Sequence, residues 1–268
     1  DDQYNDLDLA EQAFLAEKSG LPVATLFHMP NQPIEERWED DLIAHSFERF
    51  VQTGDSSWPL LLPMVRSTLA AMDVLEEATQ GRLKRFLVTG LSKRGWTTWL
   101  VGASNDPRVA GIAPMVIDTL NFSAQMHHQL ETWGDYSPMI QDYTARGLPS
   151  LVDTPEGVAL RQIVDPFEYR HAMSVPTLIV NGANDPYWQV DALSLYWDEL
   201  KQPKYLSIVP NAGHLLGDKR QQHAALVAFA QSMSGRLELP AELPRLEISD
   251  GQVTARGTGE LSIWFATS

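Results

Sequence analysis

The strongest chemical signal in the sequence is a serine placed between an apolar run and a helical segment. Residues 85–89 (RFLVT) predict a strand, and Gly90-Leu91-Ser92 leads from it into a helix predicted over residues 93–104. A serine in so tight a turn is exposed as a nucleophile, and it needs small neighbours. The helix amino terminus and the Lys93 backbone N–H could stabilise a developing oxyanion. The same pattern also fits a Gly-Ser turn that only begins a helix.

A serine nucleophile needs a base, and the base needs an acid to orient it. Two later loops supply candidates, since Asp185 follows the apolar run 175–181 and His214 follows the run 205–209. Parallel strands present their carboxyl ends at one edge of a sheet, so we expect Ser92, Asp185 and His214 to meet there. Asp191 is a neighbouring candidate for the acid, although its position favours a place at the start of a helix.

Arg94, next to the nucleophile, has two interpretations. It could bind a carboxylate or phosphate of the substrate, or it could form a buried ion pair with an acid such as Asp118. It also stands where the usual nucleophile motif has a glycine, and Gly95 follows one residue later.

An aromatic and polar segment, residues 119–174, lies between two predicted strands, where a cap over the site could be inserted. Side chains with apolar bodies and polar tips are suited to a substrate pocket, although they could equally pack the cap onto the body. The candidates in this segment are His127, His128, Trp133, Tyr136 and Tyr143. No third metal ligand stands at a recognisable spacing from the paired histidines, so we predict no metal and no cofactor.

Apolar runs alternate with helical segments along most of the chain. Strands are predicted at residues 22–29, 85–89, 109–117, 175–181 and 205–209, and helices at residues 7–19, 40–50, 59–80, 93–104, 190–200 and 220–233. This alternation is typical of a mostly parallel sheet with helices on both faces.

After residue 235 the pattern changes to short alternating runs. Strands are predicted at residues 245–249, 252–256 and 261–265, with a hairpin turn at Asp250-Gly251. The predicted organisation is therefore an α/β domain over residues 1–235, including the cap insert 119–174, and a small β appendage over residues 236–268.

Composition excludes several functions. The chain has 268 residues, 44% of them hydrophobic, and a formal net charge of −15, which disfavours nucleic acid and anionic membranes as partners. Without cysteine there are no disulfides and no thiolate nucleophile. No apolar run reaches the roughly 18 residues of a transmembrane helix. Residues 1–6 lack the features of a signal peptide, which a mature secreted chain would also lack.

Four motifs resemble those of the PhoPQ-activated pathogenicity-related protein family. They are Asn31-Gln32-Pro33, WPLLLPM at residues 58–64, GLSKRGWTTWL at residues 90–100 and DPFEYR at residues 165–170. The resemblance extends from residue 20 to residue 216, and it accounts for Arg94. It implies an α/β-hydrolase fold with Ser92 as nucleophile, Asp185 as acid and His214 as base. It also implies a bacterial protein, often exported, that is linked to virulence and to resistance against host antimicrobial peptides.

Members of this family are longer, so we expect the first strands of the fold, and a loop donating the second oxyanion N–H, to lie ahead of Asp1. Losing one such donor costs about 3 kcal/mol of transition-state stabilisation. Two functions therefore stay open. One is a serine hydrolase that cleaves an ester or amide of a small molecule or peptide. The other is a non-catalytic binding protein on a hydrolase scaffold. The sequence leaves the oligomeric state open.

Overall fold

A parallel sheet of four strands forms the centre of the protein in a computed structural model. The structure describes residues 6–217, 219–239, 245–250 and 252–256. The strands lie side by side in chain order, as β1 (Phe86–Leu91), β2 (Val109–Met115), β3 (Thr177–Gly182) and β4 (Lys204–Val209). Because all neighbouring pairs are parallel, the four carboxyl ends meet at one edge.

Helices cover both faces of this sheet. The α-helices of the described residues are α1 (Asp6–Ser19), α2 (Glu39–Thr53), α3 (Leu61–Ala78), α4 (Lys93–Ala103), α5 (Phe122–Trp133), α6 (Gln141–Thr144), α7 (Pro155–Val164) and α8 (Arg220–Met233). Side chains alternate along the strands, so Ile112 and Ile179 pack in one buried cluster with Trp99 of α4. Ala113 packs in the other with Phe229 of α8. The predicted α/β architecture is confirmed.

Two predictions of local structure are wrong. Residues 22–29 join no strand of the described sheet, and residues 22–26 are exposed, so their backbone lacks the ladder partner that a strand requires. Residues 190–200 form two short 3₁₀ helices, Ala192–Leu195 and Trp197–Glu199, in place of one α-helix. Tyr196 separates them with a φ of −145°, and its buried hydroxyl donates a hydrogen bond to Asp118.

The segment between β2 and β3 contains α5, α6, α7 and three short 3₁₀ helices, Pro138–Ile140, Pro149–Leu151 and Pro166–Tyr169. One buried carboxylate connects its two ends. Asp165 accepts hydrogen bonds from the backbone N–H groups of Asn121, Phe122 and Phe167 at 3.3, 2.8 and 2.9 Å. Burial raises the pKa of Asp165 to about 7, against the opposing effect of these three donors.

The last described elements are β5 (Arg245–Ser249) and β6 (Gln252–Arg256), which pair as an antiparallel hairpin at the predicted residues. The third predicted strand, residues 261–265, lies outside the described residues. In the part of the chain that the structure describes, no helix combines the length and apolar character needed to cross a membrane.

Candidate active site

Ser92 occupies the sharp turn between β1 and α4. Its φ of 53° and ψ of −124° are unusual for a residue with a side chain, and its N–H donates to the Met115 carbonyl at 2.9 Å. The turn excludes larger neighbours. A Cβ at Gly90 would lie 2.7 Å from the Arg94 carbonyl oxygen, and one at Gly95 would lie 2.8 Å from the Met115 carbonyl oxygen. The two glycines therefore permit the turn that presents Ser92 at the carboxyl edge.

His214 and Asp185 lie on the loops that follow β4 and β3, and their side chains pair. His214 Nδ1 is 2.9 Å from Asp185 Oδ2, and the two side chains are 17% and 8% exposed. Asp185 Oδ1 accepts the Tyr187 backbone N–H at 3.0 Å, which orients the carboxylate. Asn184 N–H donates to the Ala212 carbonyl at 2.9 Å and holds the two loops together.

Ser92 and His214 line one cavity of about 100 Å³. The body of the fold contributes mainly apolar side chains to its wall, among them Phe47, Trp96, Val116, Ile117 and Trp188. The insert contributes others, among them Phe122, Met126, Ile140, Leu148, Val152 and Leu160. The insert therefore forms part of the wall of the cavity that Ser92 lines.

Polar side chains also line the cavity, and two charged ones among them, Lys93 and Asp40, form an ion pair. Lys93 Nζ lies 2.7 Å from Glu39 Oε2 and 3.1 Å from Asp40 Oδ2, with the Lys93 side chain only 10% exposed. Tyr143, the fifth candidate from the insert, also lines the cavity and donates to Asp40 Oδ1 at 3.1 Å. Burial and the Asp40 carboxylate raise the pKa of Tyr143 well above its usual range. This polar group links α2 to the first turn of α4.

Arg94 is not among the residues that line the cavity, so its role in substrate binding stays a prediction. Its Nη2 lies 2.8 Å from Glu39 Oε1, and its Nε donates to the Met29 carbonyl at 3.0 Å. The ion pair expected as the alternative therefore forms with Glu39 in place of Asp118. Hydrogen bonds from Arg94 and Lys93 hold the pKa of Glu39 well below its usual range, although burial opposes the shift.

The histidine pair of α5 also lies outside the cavity wall. His127 Nε2 is 2.7 Å from Asp153 Oδ2, in a pair more than half exposed. His128 Nε2 is 2.8 Å from Asp191 Oδ1. Asp191 therefore pairs with the insert, whereas Asp185 pairs with His214. Within the described residues, no group of three potential ligands that could hold a metal ion includes either histidine.

Trp133 and Tyr136 are likewise not among the cavity-lining residues. Trp133 is 44% exposed at the end of α5, and Tyr136 packs against the small buried cluster of Met126 and Ile140. The structure therefore places none of these four residues in the cavity wall, and their role in substrate binding stays a prediction; for the three residues on α5, another face of the helix turns to the cavity. Phe122 and Met126 stand four residues apart on that face, and this i, i+4 apolar spacing was the available signal.

Asp118 is a further acid behind the site, considered from sequence only as a partner of Arg94. It follows β2 at the same sheet edge, is 8% exposed, and accepts a hydrogen bond from the Tyr196 hydroxyl. Burial raises the pKa of Asp118 to about 7, the nearby Asp185 carboxylate adds to the rise, and the Tyr196 hydrogen bond opposes it.

Solved structures of esterases and other hydrolases are similar in fold to this chain. Acetyl xylan esterase from Paenibacillus sp. R4 superposes with a TM-score of 0.50 at 16% identity, over 65% of this chain and 52% of that chain. A puromycin hydrolase gives a TM-score of 0.48 at 20% identity, over 65% of this chain and 26% of that chain. At these identities the likeness concerns the fold alone.

The chain belongs to the PhoPQ-activated pathogenicity-related protein family, whose model matches residues 2–268. This confirms the resemblance found in the sequence. The chain is also 36% identical over 226 residues to Autocrine proliferation repressor protein A of Dictyostelium discoideum. That match covers 80% of this chain and 46% of the relative, so the chain spans about half the length of the relative.

Proposed function

We propose that this protein is a serine hydrolase that cleaves an ester or amide bond through an acyl-enzyme. The carrying observation is the 2.9 Å contact between His214 Nδ1 and Asp185 Oδ2, next to a cavity that His214 shares with Ser92. The α/β-hydrolase fold supports this proposal, because that fold delivers a serine, an acid and a histidine in the same chain order.

In the proposed reaction, Asp185 accepts a hydrogen bond from the Nδ1–H group of His214 and stays ionised, which holds the imidazole in the tautomer whose Nε2 can act as a base. Nε2 takes the proton of the Ser92 hydroxyl as Oγ attacks the carbonyl carbon of the substrate. The resulting tetrahedral intermediate expels the alcohol or amine, which receives the proton from Nε2. Water then cleaves the acyl–serine bond with the same base, releasing the carboxylic acid and restoring the serine hydroxyl.

Stabilisation of the oxyanion is assigned to the Lys93 backbone N–H. Lys93 is the first residue of α4, and the N–H groups of a first helical turn have no partner within the helix. The helix dipole adds positive potential at this end. The Lys93 side chain is separately engaged with Glu39 and Asp40, so the proposed donor is the backbone group.

A fluorophosphonate reagent tests the proposal directly, because it reacts with a serine that a neighbouring base has activated. We expect one label per chain, located on Ser92 by mass spectrometry, and no label in Ser92→Ala. Ser57, an exposed serine whose N–H is held by Asp55, serves as the control position, so Ser57→Ala should label fully. Absence of label at Ser92 in the folded protein contradicts the proposal.

A non-catalytic binding protein is the second candidate. The observation in its favour is the name of the Dictyostelium relative, which describes a repressor of proliferation and not an enzyme. In that case the cavity would hold a ligand without turnover. An unlabelled Ser92, with unchanged thermal stability in Ser92→Ala, is the result that favours this candidate.

We also propose, from the family, that the protein is exported and contributes to bacterial virulence or to resistance against antimicrobial peptides. Fractionation of the source cells, followed by detection with an antibody, tests export. Loss of peptide resistance on deletion of the gene, restored by the wild-type gene and not by the Ser92→Ala gene, tests a link between resistance and hydrolysis.

A further inference from the structure

We infer that the acyl group accepted by Ser92 is short, apolar and uncharged. This inference rests on the proposed function and specifies its substrate class. It excludes peptides and carbohydrates from the cavity side of the site, and it favours esters of small fatty or branched acids. The carrying observations are the chemistry of the cavity wall, the pairing of its charges and its size.

The wall that faces Ser92 is apolar on the side supplied by the insert. The cavity is lined by Met126 of α5, by Ile140 of the short helix Pro138–Ile140 and by Leu160 of α7. Each of these side chains is less than 10% exposed. Trp96 of α4 and Phe122 of α5 complete this side, with ring centroids 5.1 Å apart in an edge-to-face arrangement. A hydrocarbon chain loses contact with water against such a wall, whereas a polar chain would lose hydrogen bonds without replacement.

The charged side chains in the wall already have partners. Lys93 and Asp40 pair with each other, and Arg161 Nη1 lies 3.2 Å from Glu168. A charged acyl group would therefore have to break an existing ion pair to find a counterion in this cavity. Burying a charge without such a partner is strongly unfavourable.

The size of the cavity sets the length of the chain. A cavity of about 150 Å³ accommodates one benzene molecule, so about 100 Å³ holds roughly four carbon-sized groups. We therefore expect acyl chains of about two to five carbons to fill the space without displacing its wall.

The first experiment measures kcat/KM for p-nitrophenyl esters from acetate to dodecanoate. We expect a maximum at about two to five carbons and a fall of about tenfold or more at twelve, where the chain exceeds the available space. The mono-p-nitrophenyl ester of glutaric acid, which carries a charged end, should react at least tenfold more slowly than pentanoate. A maximum at dodecanoate, or glutarate equal to pentanoate, overturns the inference.

The second experiment changes the wall. Met126→Ala should raise the ratio of dodecanoate to butanoate kcat/KM by about tenfold, because it lengthens the space beside Ser92. Met139→Ala is the matched control, since Met139 belongs to the same insert but is 44% exposed and outside the wall. An unchanged ratio in Met126→Ala, or the same rise in both variants, overturns the inference.

Fluorophosphonate labelling of Ser92, carried out on the same preparation, separates the two levels of failure. A labelled Ser92 with the wrong acyl profile overturns the substrate class alone. An unlabelled Ser92 overturns the proposed function together with the substrate class.

Discussion

The ring of Tyr187 stacks on the imidazole of His214, with centroids 4.1 Å apart and planes 27° from parallel. The insert holds this ring in place, since Gln129 of α5 donates to the Tyr187 carbonyl at 3.0 Å. Gln129 also accepts the Ser137 N–H at 2.9 Å, and the Ser137 hydroxyl donates to the Pro186 carbonyl at 2.8 Å. The insert therefore both lines the cavity and fixes the loop that orients the proposed base.

Replacing this ring should slow the reaction without unfolding the protein. Tyr187→Ala is expected to lower kcat and the rate of Ser92 labelling about two- to tenfold, because an aromatic pair contributes about 0.5–1.5 kcal/mol beyond its buried area. Tyr187→Phe keeps the ring and should stay within about twofold of wild type. Steady-state kinetics and thermal unfolding of both variants provide the measurement. An equal loss of kcat in Tyr187→Phe and Tyr187→Ala would assign the effect to the hydroxyl and contradict the stacking role of the ring.

The two candidate acids give opposite predictions. Asp185→Asn should lower kcat by about 10⁴-fold, because an amide can hold the imidazole in the tautomer that cannot accept the Ser92 proton. Asp191→Asn should keep kcat within about threefold of wild type. The Asp191 side chain is exposed, and its partner is His128, at 2.8 Å, not His214. Ester hydrolysis by matched preparations is the measurement, and comparable losses in the two variants would rule out the assignment.

Asp118 should make stability fall as pH rises. Its pKa in the folded protein is about 7 against an ordinary 3.8, so the folded state binds this proton more tightly than the unfolded state between these values. The stability that protonation gives is complete below pH 4 and is lost as pH rises through 7. Asp118→Asn removes this dependence, so relative to wild type it should gain at most about 4 kcal/mol between pH 4 and pH 8.

Asp106 is the control for that experiment. Hydrogen bonds from Arg108 lower the pKa of Asp106, so its contribution is present above its pKa and is lost only as pH falls through it. Asp106→Asn should therefore show a constant difference from wild type between pH 5 and pH 8. Urea unfolding at several pH values measures both variants, and a gain for Asp118→Asn that does not depend on pH would exclude the titration.

Arg94 is expected to act on stability and not on substrate choice. Arg94→Gln should lower the free energy of unfolding by about 2 kcal/mol, because it leaves the partly buried Glu39 with fewer donors. The ratio of rates for neutral and acidic esters should stay unchanged. Arg82→Gln, at an exposed arginine, should change stability by less than about 0.5 kcal/mol. A selective loss of acidic substrates in Arg94→Gln would restore the substrate-binding interpretation.

The sequence predicted the elements whose character is set locally. β1 to β4 are short apolar runs bounded by polar turns, and α8 and the β5–β6 hairpin have the predicted bounds. The segment 22–29 has the same composition as a strand but lacks a neighbouring strand among the described residues, and pairing is not a local property.

The residues that line the pocket were harder to predict than the positions of the proposed reacting residues. Ser92, Asp185 and His214 stand directly after strands, so topology alone brings them to one edge. The composition of the cavity wall depends on which face of α5 turns inward. The hydropathy of the α5 sequence does not identify that face, because polar residues occur on both the buried and the exposed sides. Gln125 and Gln129 are fully buried through hydrogen bonds to backbone carbonyls, whereas His127 is exposed. Buried amides of this kind follow from tertiary contacts that composition does not reveal.

The Asp165 carboxylate has a practical consequence for engineering. It joins Asn121 and Phe122 to Phe167, so the chain enters and leaves the insert at one point, and the ends stay together whatever lies between them. Because the cost of closing a loop grows only slowly with its length, the intervening segment can change in length at little entropic cost, provided that its replacement keeps the packing of Leu160 and Val164 in the core. Residues 123–164 are therefore the unit to graft between relatives, with Asp165 retained as the joint that lets one scaffold carry interchangeable pockets.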